Sequence, residues 1–482
     1  MNLTTSIIAA SPAIALGVTG FVVVALGLFL KNASRYVFLA VSLLGLIISA
    51  GLAVNIWDQN LTGFSKMILA DNFALVFYLL FIVSAILSML LAMGSHEQQY
   101  MLFPEYFSVT LFATVGMGLM AASSNLLIIF LGLETLSISL YVLAAMKRTN
   151  EASLESAFKY FLLGAFSSSF LLYGIALVYG ASGGFDLSNI AQVLSAGATG
   201  GEHKLLLIGG LLIVIGLGFK VALFPFHMWA PDVYQGAPTP ITAFMSTGSK
   251  AAGFAAMLRI LFTVTDGAAQ DWNGILSVLA VSAMFVGNIS ALRQQNIKRM
   301  LAYSSIAHAG YILVGIVAWN ETGAAGVIFY LLAYTFMNIG AFGALSFLSS
   351  EKRDIVARSD IQGLASSRPI TAFLIATFMF ALAGLPPTAG FMGKFYLFSA
   401  AVKAGHVWLV ILGVINSMIS LYYYLGIVIS MYMRSSDKTE TYARPNIAIA
   451  ISLALAVTAS LGLGLFPSFL MNTFEKVVSV IL

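Results

Sequence analysis

Apolar residues in this chain arrive in runs of about 20, the length a helix needs to cross a hydrocarbon core of roughly 30 Å, and short polar joints separate the runs. They predict fourteen spans, at approximately 8–30, 36–57, 72–94, 103–121, 124–146, 155–180, 204–226, 238–263, 272–292, 297–319, 322–348, 369–402, 405–433 and 445–470. Polyserine, proline-rich and long charged linkers are absent. The expected fold class is therefore an all-α polytopic membrane protein with a single membrane domain over 1–482. The chain starts MNLTTSII, without a basic stretch ahead of the first apolar run, so that run reads as a retained span rather than a cleaved signal.

Two spans are interrupted alike. The seventh carries Lys220 and meets Pro225 in FKVALFPFHMW, and the twelfth runs through GLPPTAGFMGK, where Pro386 and Pro387 precede Lys394. Proline removes a backbone donor and clashes with the preceding turn, freeing carbonyls that only protein or water can satisfy at membrane depth. Both are expected to be broken helices. They lie five helices apart, an odd number, so spans 4–8 (103–263) and 9–13 (272–433) are expected to form two inverted five-helix repeats. Three N-terminal spans (1–102) and a fourteenth helix (434–482) flank them.

Composition agrees with the pattern: 60% of residues are hydrophobic and 9% charged, with a mean hydropathy of +0.96, whereas a soluble domain is about 25% charged. Loops after odd-numbered spans hold Lys31, Arg35, Lys147, Arg148, Arg293, Lys298, Arg299, Lys352, Arg353, Arg358, Arg368, Arg434, Lys438 and Arg444. The other side holds only Lys66, Lys204, Lys403 and Lys476. Fourteen against four puts the odd loops in the cytoplasm and both termini outside. This asymmetry also accounts for the net charge of +4, and no basic cluster exceeds two adjacent residues, so no nucleic-acid role is expected. With no cysteine, the chain offers no disulfide, thiolate metal site or iron–sulfur cluster. P-loop, GxGxxG and HExxH motifs and metal-ligand clusters are absent from the sequence too.

Six charged side chains sit deep inside predicted spans, away from their ends: Glu134, Lys159, Lys220, Lys250, Arg259 and Lys394. Unpaired, such a set costs on the order of 15–20 kcal/mol, which points to a protein that moves charge. Glu134, in FLGLETLSISLYVL, is expected to pair with Lys159 of the next span. Lys159 has a second reading: Glu151, Glu155 and Lys159 are spaced by four, a helix-entry ion pair with a snorkelling lysine. Burial disfavours the charged form of an amine, bringing proton exchange at Lys220, Lys250 and Lys394 within reach of neutral pH; arginine would stay protonated. Lys394 is the strongest candidate carrier, and Arg259 is expected to snorkel from an outer helix end. His227 and His308 are either proton relays or satisfied interior donors. Ser246, Thr247, Ser249, Ser304 and Ser305 either hold linking waters or serve as small packing residues.

Long segments carry a resemblance. FLGLETLSISLYVL, ESAFKYFLLGAFSSS, GLGFKVALFPFHMWAPDVYQGAPTPITAFMSTGSKAA, NIKRMLAYSSIAHAGY and GLPPTAGFMGKFYLF, spread over about 70–430, resemble the antiporter-like subunits of complex I, the proton-pumping NADH:quinone oxidoreductase. Within that family the chain looks most similar to the subunit N branch, because the carrier on its second broken helix is a lysine and the chain stops just past the fourteenth span. The resemblance implies roles in proton translocation for Glu134, Lys159, Lys220, Lys250 and Lys394. It implies no cofactor in this chain, with NADH, flavin, iron–sulfur clusters and quinone in the rest of the complex. Its implied partners are a neighbouring antiporter-like subunit, small membrane subunits and the lipid of a bacterial inner membrane. The implied mechanism is electrostatic: quinone reduction elsewhere perturbs Glu134 and Lys159, changes the proton affinity of Lys220 and Lys250, and drives a proton toward Lys394. A multi-component cation/proton antiporter subunit and a non-pumping membrane scaffold are the competing readings.

Overall fold

A computed structural model of the chain describes residues 3–30, 34–95, 97, 101, 103–196, 200–264, 269–349, 355–435 and 446–481, without the side chains of 269–271. Lys31, Lys352, Arg353, Lys438 and Arg444 of the loop tally lie outside the described residues. After a short helix, Leu3–Ala9, come α1 (Ser11–Phe29) and α2 (Arg35–Asn55). A small antiparallel hairpin follows, β1 (Leu61–Gly63) with β2 (Ile68–Ala70), Gly63 opposite Ile68. Apolar periodicity gave no hint of this hairpin, whose three-residue strands are too short to show one. The remaining long helices are α3 (Asn72–Gly94), α4 (Pro104–Ala122), α5 (Leu126–Ala144), α6 (Glu151–Ser182), α7 (Gly201–Lys220), α8 (239–264), α9 (Ala269–Leu292), α10 (Ile297–Val317), α11 (Glu321–Leu348), α12 (369–403), α13 (Val407–Tyr432) and α14 (Ile447–Leu465), before an amphipathic terminal helix, Ser468–Val478.

Helix starts are set by short polar side chains that accept from otherwise free first-turn amides. Asp71 accepts from Ala74 N at 2.8 Å, Asn150 from Ser153 N at 3.0 Å, Asn296 from Arg299 N at 3.0 Å and Asn320 from Gly323 N at 2.7 Å. Pro104 and Pro369 occupy first-turn positions of α4 and α12, where a missing amide hydrogen costs nothing. Among the described residues, twelve helices are long and apolar enough to cross a membrane. The two expected spans outside that number are α8 and α12, each divided into shorter pieces. α12 is Pro369–Ala383 and Ala389–Lys403 with Gly384 left-handed at φ +84°. α8 runs Thr239–Phe244, a π-helical turn Met245–Ser249, then Lys250–Val264.

α7 ends at Lys220, six residues short of its predicted end. Ala222 turns left-handed at φ +58°, and the chain crosses the Pro225 segment to a short helix, Trp229–Gly236. Both breaks carry a cis X–Pro bond, Phe224–Pro225 and Pro386–Pro387. The freed carbonyls find donors: Leu223 N reaches Gly218 O at 2.8 Å and the Trp229 indole reaches Phe219 O at 2.9 Å.

α10 and α11 form the centre, with 94% and 89% of their apolar windows buried, against 28% for α1 and for α14 at the periphery. Large apolar side chains such as Phe21, Phe29, Phe166 and Ile447 point outward, a surface suited to lipid rather than water. Close helix approach rests on small residues: a Cβ at Gly132 would sit 2.9 Å from Gly116 O, and one at Gly116 would sit 2.6 Å from Gly132 O, so α5 and α4 touch backbone to backbone.

Candidate functional site: a buried lysine and hydroxyl axis

The three central lysines are 3% (Lys220), 1% (Lys250) and 5% (Lys394) exposed, and each amine is held by neutral oxygens. Lys220 Nζ donates to Ser137 Oγ of α5 at 2.9 Å and to Tyr160 Oη of α6 at 3.3 Å. Lys250 Nζ donates to the carbonyl and hydroxyl of Ser305 on α10, both at 2.5 Å. Lys394 Nζ donates to Ala383 O at 2.9 Å and to Ser417 Oγ of α13 at 2.8 Å. Among the described residues none of the three forms an ion pair. Aromatic rings complete the cages: Tyr160 at 5.6 Å from Lys220, Tyr334 at 5.5 Å from Lys250 and Tyr311 at 4.7 Å from Lys394.

These cages follow from the breaks. α7 stops at Lys220, so the amine projects past the last turn, toward α5 and α6. In α12, Ala383 ends the first half-helix, and Lys394 reaches back from the second half to that free carbonyl, where the negative end of the half-helix dipole lies. A cavity of about 420 Å³, lined by Gly384, Phe391, Lys394, Phe398 and Ser417 among others, opens beside this lysine.

Between Lys250 and Lys394 stands His308, 1% exposed. Its Nδ1 shares a hydrogen bond with Tyr330 Oη at 2.6 Å and its Nε2 one with Tyr424 Oη at 3.0 Å; Tyr424 in turn bonds Ser304. The imidazole feels the charges of both Lys394 and Lys250. Asn338 adds bonds to Tyr334 Oη at 2.8 Å and to Ser246 Oγ at 2.9 Å. His227 is not brought to this axis. It is half-buried beside Phe224, ring centroids 5.4 Å apart, and its Nδ1 has no protein partner.

Three sequence expectations are corrected. Glu134 does not pair with Lys159: its carboxylate accepts from Ser168, and the amine it acts on electrostatically is that of Lys220. Lys159 sits instead at the face of the basic loops with 42% of its side chain exposed, bonded to Glu155 at 2.6 Å and Asp232 at 3.0 Å; the i, i+4 ion-pair reading describes it. Arg259 does not snorkel. Its guanidinium is 3% exposed and makes a bidentate pair with Asp71, both contacts at 2.8 Å, while its Nε donates to Ala121 O at 2.8 Å.

Sequence reading missed Asp71 and Asp232. Asp71 also caps α3 through Ala74 N; the available signal was an arginine within a span and no acid in its own helix. Asp232 receives Arg299 at 2.5 Å besides Lys159. Burial pushes its carboxyl up, and hydrogen bonds from Arg299 and Lys159 outweigh that, holding it below the usual carboxylate range. A carboxylate on the short helix between α7 and α8 gives no local hint of two cations from separate helices. Glu97, ion-paired with Lys147, accepts from Thr239 N at 2.8 Å and anchors the start of α8.

Comparison with known proteins accords with this architecture. NADH-quinone oxidoreductase subunit N of Trichlorobacter lovleyi is 45% identical over 470 residues, covering 98% of this chain and 96% of its own length. A chain in the structure of respiratory complex I from Thermus thermophilus with bound aureothin is 35% identical, with a TM-score of 0.79 over 96% of this chain and 98% of that one. A chain in the Mrp complex from Dietzia sp. shares the fold at 19% identity, with a TM-score of 0.87 over 99% of this chain and 98% of that one. Residues 123–420, which hold both breaks and all three central lysines, match the family described as NADH:quinone oxidoreductase/Mrp antiporter, TM, and the chain belongs to that family.

Proposed function

We propose that this chain is a proton-translocating membrane-arm subunit of an NADH:quinone oxidoreductase, working beside a neighbouring antiporter-like subunit and small membrane subunits in a bacterial inner membrane. Its termini lie on the periplasmic side, in keeping with the basic loops, and 103–263 and 272–433 act as inverted halves. Flavin, iron–sulfur clusters and quinone belong to partner subunits, and this chain contributes proton transfer.

The observation that carries the proposal is the set of three buried amines, each hydrogen-bonded to neutral oxygens, with a hydrogen-bonded group of hydroxyls and one imidazole that feels the charges of Lys250 and Lys394. An ammonium so held is stabilised by a few dipoles and no counter-charge, so a modest change of field decides whether it keeps its proton. Glu134 supplies such a field at Lys220. A change in charge near Glu134 during quinone reduction alters the proton load of Lys220; Lys250 responds next, and His308 with Tyr424 and Tyr330 carries the transfer toward Lys394. The break in α12 opens the exit at Lys394. Lys159 holds Asp232 and Glu155 at the entry face. Lys250→Ala and Lys394→Ala, each assembled into the complex in inverted membrane vesicles, abolish NADH-driven acidification. If both pump as the parent does, the chain is a scaffold and the proposal fails.

A further inference from the structure

A buried polar knot lies between α9, α10 and α13, and no step of the transfer uses it. Asn288, one turn from the end of α9 that meets the basic loop at Arg293, and Asn416 of α13 are both fully buried. The Asn288 carboxamide nitrogen donates to Asn416 O and Oδ1, each at 3.1 Å, and to Tyr311 Oη of α10 at 3.2 Å. Its oxygen accepts from Tyr423 Oη of α13 at 2.9 Å. A backbone carbonyl only accepts, so Asn416 O fixes which end of the carboxamide is the nitrogen.

The knot separates two places. On one side is the Lys394 amine: the Tyr311 ring lies 4.7 Å from its Nζ, and the Tyr311 hydroxyl is bonded to Ser420, one turn along α13 from the Ser417 that accepts from the lysine. On the other side Tyr423 lines a pocket with Gln294, Gln295, Arg358 and Tyr422, at the face of the basic loops. That pocket is about 10 Å³, room for about one water. Tyrosine hydroxyls therefore stand on both sides, and a carboxamide fills the gap between them. A hydroxyl passes protons on, because it accepts one while giving another. A carboxamide donates and accepts hydrogen bonds but neither takes up nor releases a proton near neutral pH. The Asn288 oxygen receives the Tyr423 hydrogen, and its nitrogen has none to hand to Tyr311. Tying α9 to α13 would account for the Asn288 bonds to Asn416; it leaves unexplained why the amide sits between a hydroxyl beside the carrier and a hydroxyl beside the surface pocket.

We propose that Asn288 is a proton barrier that seals the exit lysine, Lys394, from the face of the basic loops. An exit carrier that exchanged protons with the entry face would discharge the gradient it helps to build. The inference rests on the proton-translocating reading above and adds to it a residue that stops transfer rather than one that carries it.

The assembled complex in proteoliposomes tests this without NADH, through passive proton conductance under a valinomycin-imposed potassium potential. Asn288→Asp places between the tyrosines a group that binds and releases protons, and Asn288→Ser shortens the side chain and admits a water. In either variant the conductance rises by about a hundredfold, the low end for a positioned acid–base group, while NADH oxidation continues. Asn288→Leu, similar in shape and equally unable to carry a proton, stays as tight as the parent, although its thermal midpoint falls because Tyr423 loses its acceptor. Lys394→Ala added to the leaking variant returns the conductance to the parent's. Parent-like conductance in both Asn288→Asp and Asn288→Ser overturns the barrier, as does a leak in Asn288→Leu, which would make the seal a matter of packing. A leak that survives Lys394→Ala also overturns it. If those variants are tight while Lys250→Ala and Lys394→Ala fail to pump, the barrier alone falls; normal pumping in the two lysine variants removes the wider function and the barrier with it.

Discussion

Neutralising Asp71 tests whether its pair with Arg259 lies in a dry interior. Its side chain and that of Arg259 are 8% and 3% exposed, share two 2.8 Å contacts, and tie the start of α3 to the C-terminal part of α8 across 188 residues of sequence. Asp71→Asn keeps the helix cap on Ala74 N, because asparagine caps as well as aspartate, and removes only the charge. Stripping one partner from a buried pair costs about 3–5 kcal/mol, since the remaining charge is left uncompensated. Asparagine still offers one oxygen to the guanidinium, and Arg259 keeps Ala121 O and the face of Phe73 at 4.8 Å, so the lower end, about 3 kcal/mol, applies. That is roughly a hundredfold in the unfolding equilibrium. Arg259→Met alone costs a similar amount, and the double variant less than the sum by about 2 kcal/mol. Denaturant unfolding of the purified protein in detergent, followed by tryptophan fluorescence for all four members of the cycle, measures both quantities. A loss below about 1 kcal/mol for Asp71→Asn, the level of a solvated surface pair, refutes the assignment of this pair to a dry interior.

Lys394→Arg retains the positive charge and the donor to Ala383 O, but guanidinium does not deprotonate at physiological pH; pumping is lost while the complex still assembles, and vesicle acidification that survives would show that Lys394 need not release its proton. Asp232 has a folded-state pKa held below its unfolded value, so its ion pairs stabilise the protein fully above about pH 4 and are lost as pH falls through the lower folded value. Thermal midpoints of parent and Asp232→Asn should therefore differ most near neutrality and converge in acid; a gap that widens in acid has the wrong sign. Gly132→Val forces apart backbones that leave a Cβ only 2.9 Å from Gly116 O, costing about 1–3 kcal/mol as overpacking, read as a lowered thermal midpoint that Gly132→Ala shares to a smaller degree.

Hydropathy alone located the long apolar helices, because the transfer energy of a helix into lipid is a sum over contiguous residues and needs no knowledge of neighbours. Pro225, Pro386 and Pro387 marked both breaks for the same reason: a missing amide hydrogen acts on its own turn. Lys220, Lys250 and Lys394 were visible as amines with no acid nearby in sequence, and the motifs around them were long enough to indicate a family. What each charge touches was another matter. Glu134 against Ser168 instead of Lys159, Arg259 against Asp71, and Asp232 between Lys159 and Arg299 depend on how helices rotate and pack. The π-turn in α8 and the hydroxyl axis through Ser305, Tyr424 and His308 depend on it as well. A side chain's depth is set by the run it belongs to, but its partner is set by which face of that run meets another helix, and only the assembled bundle decides that.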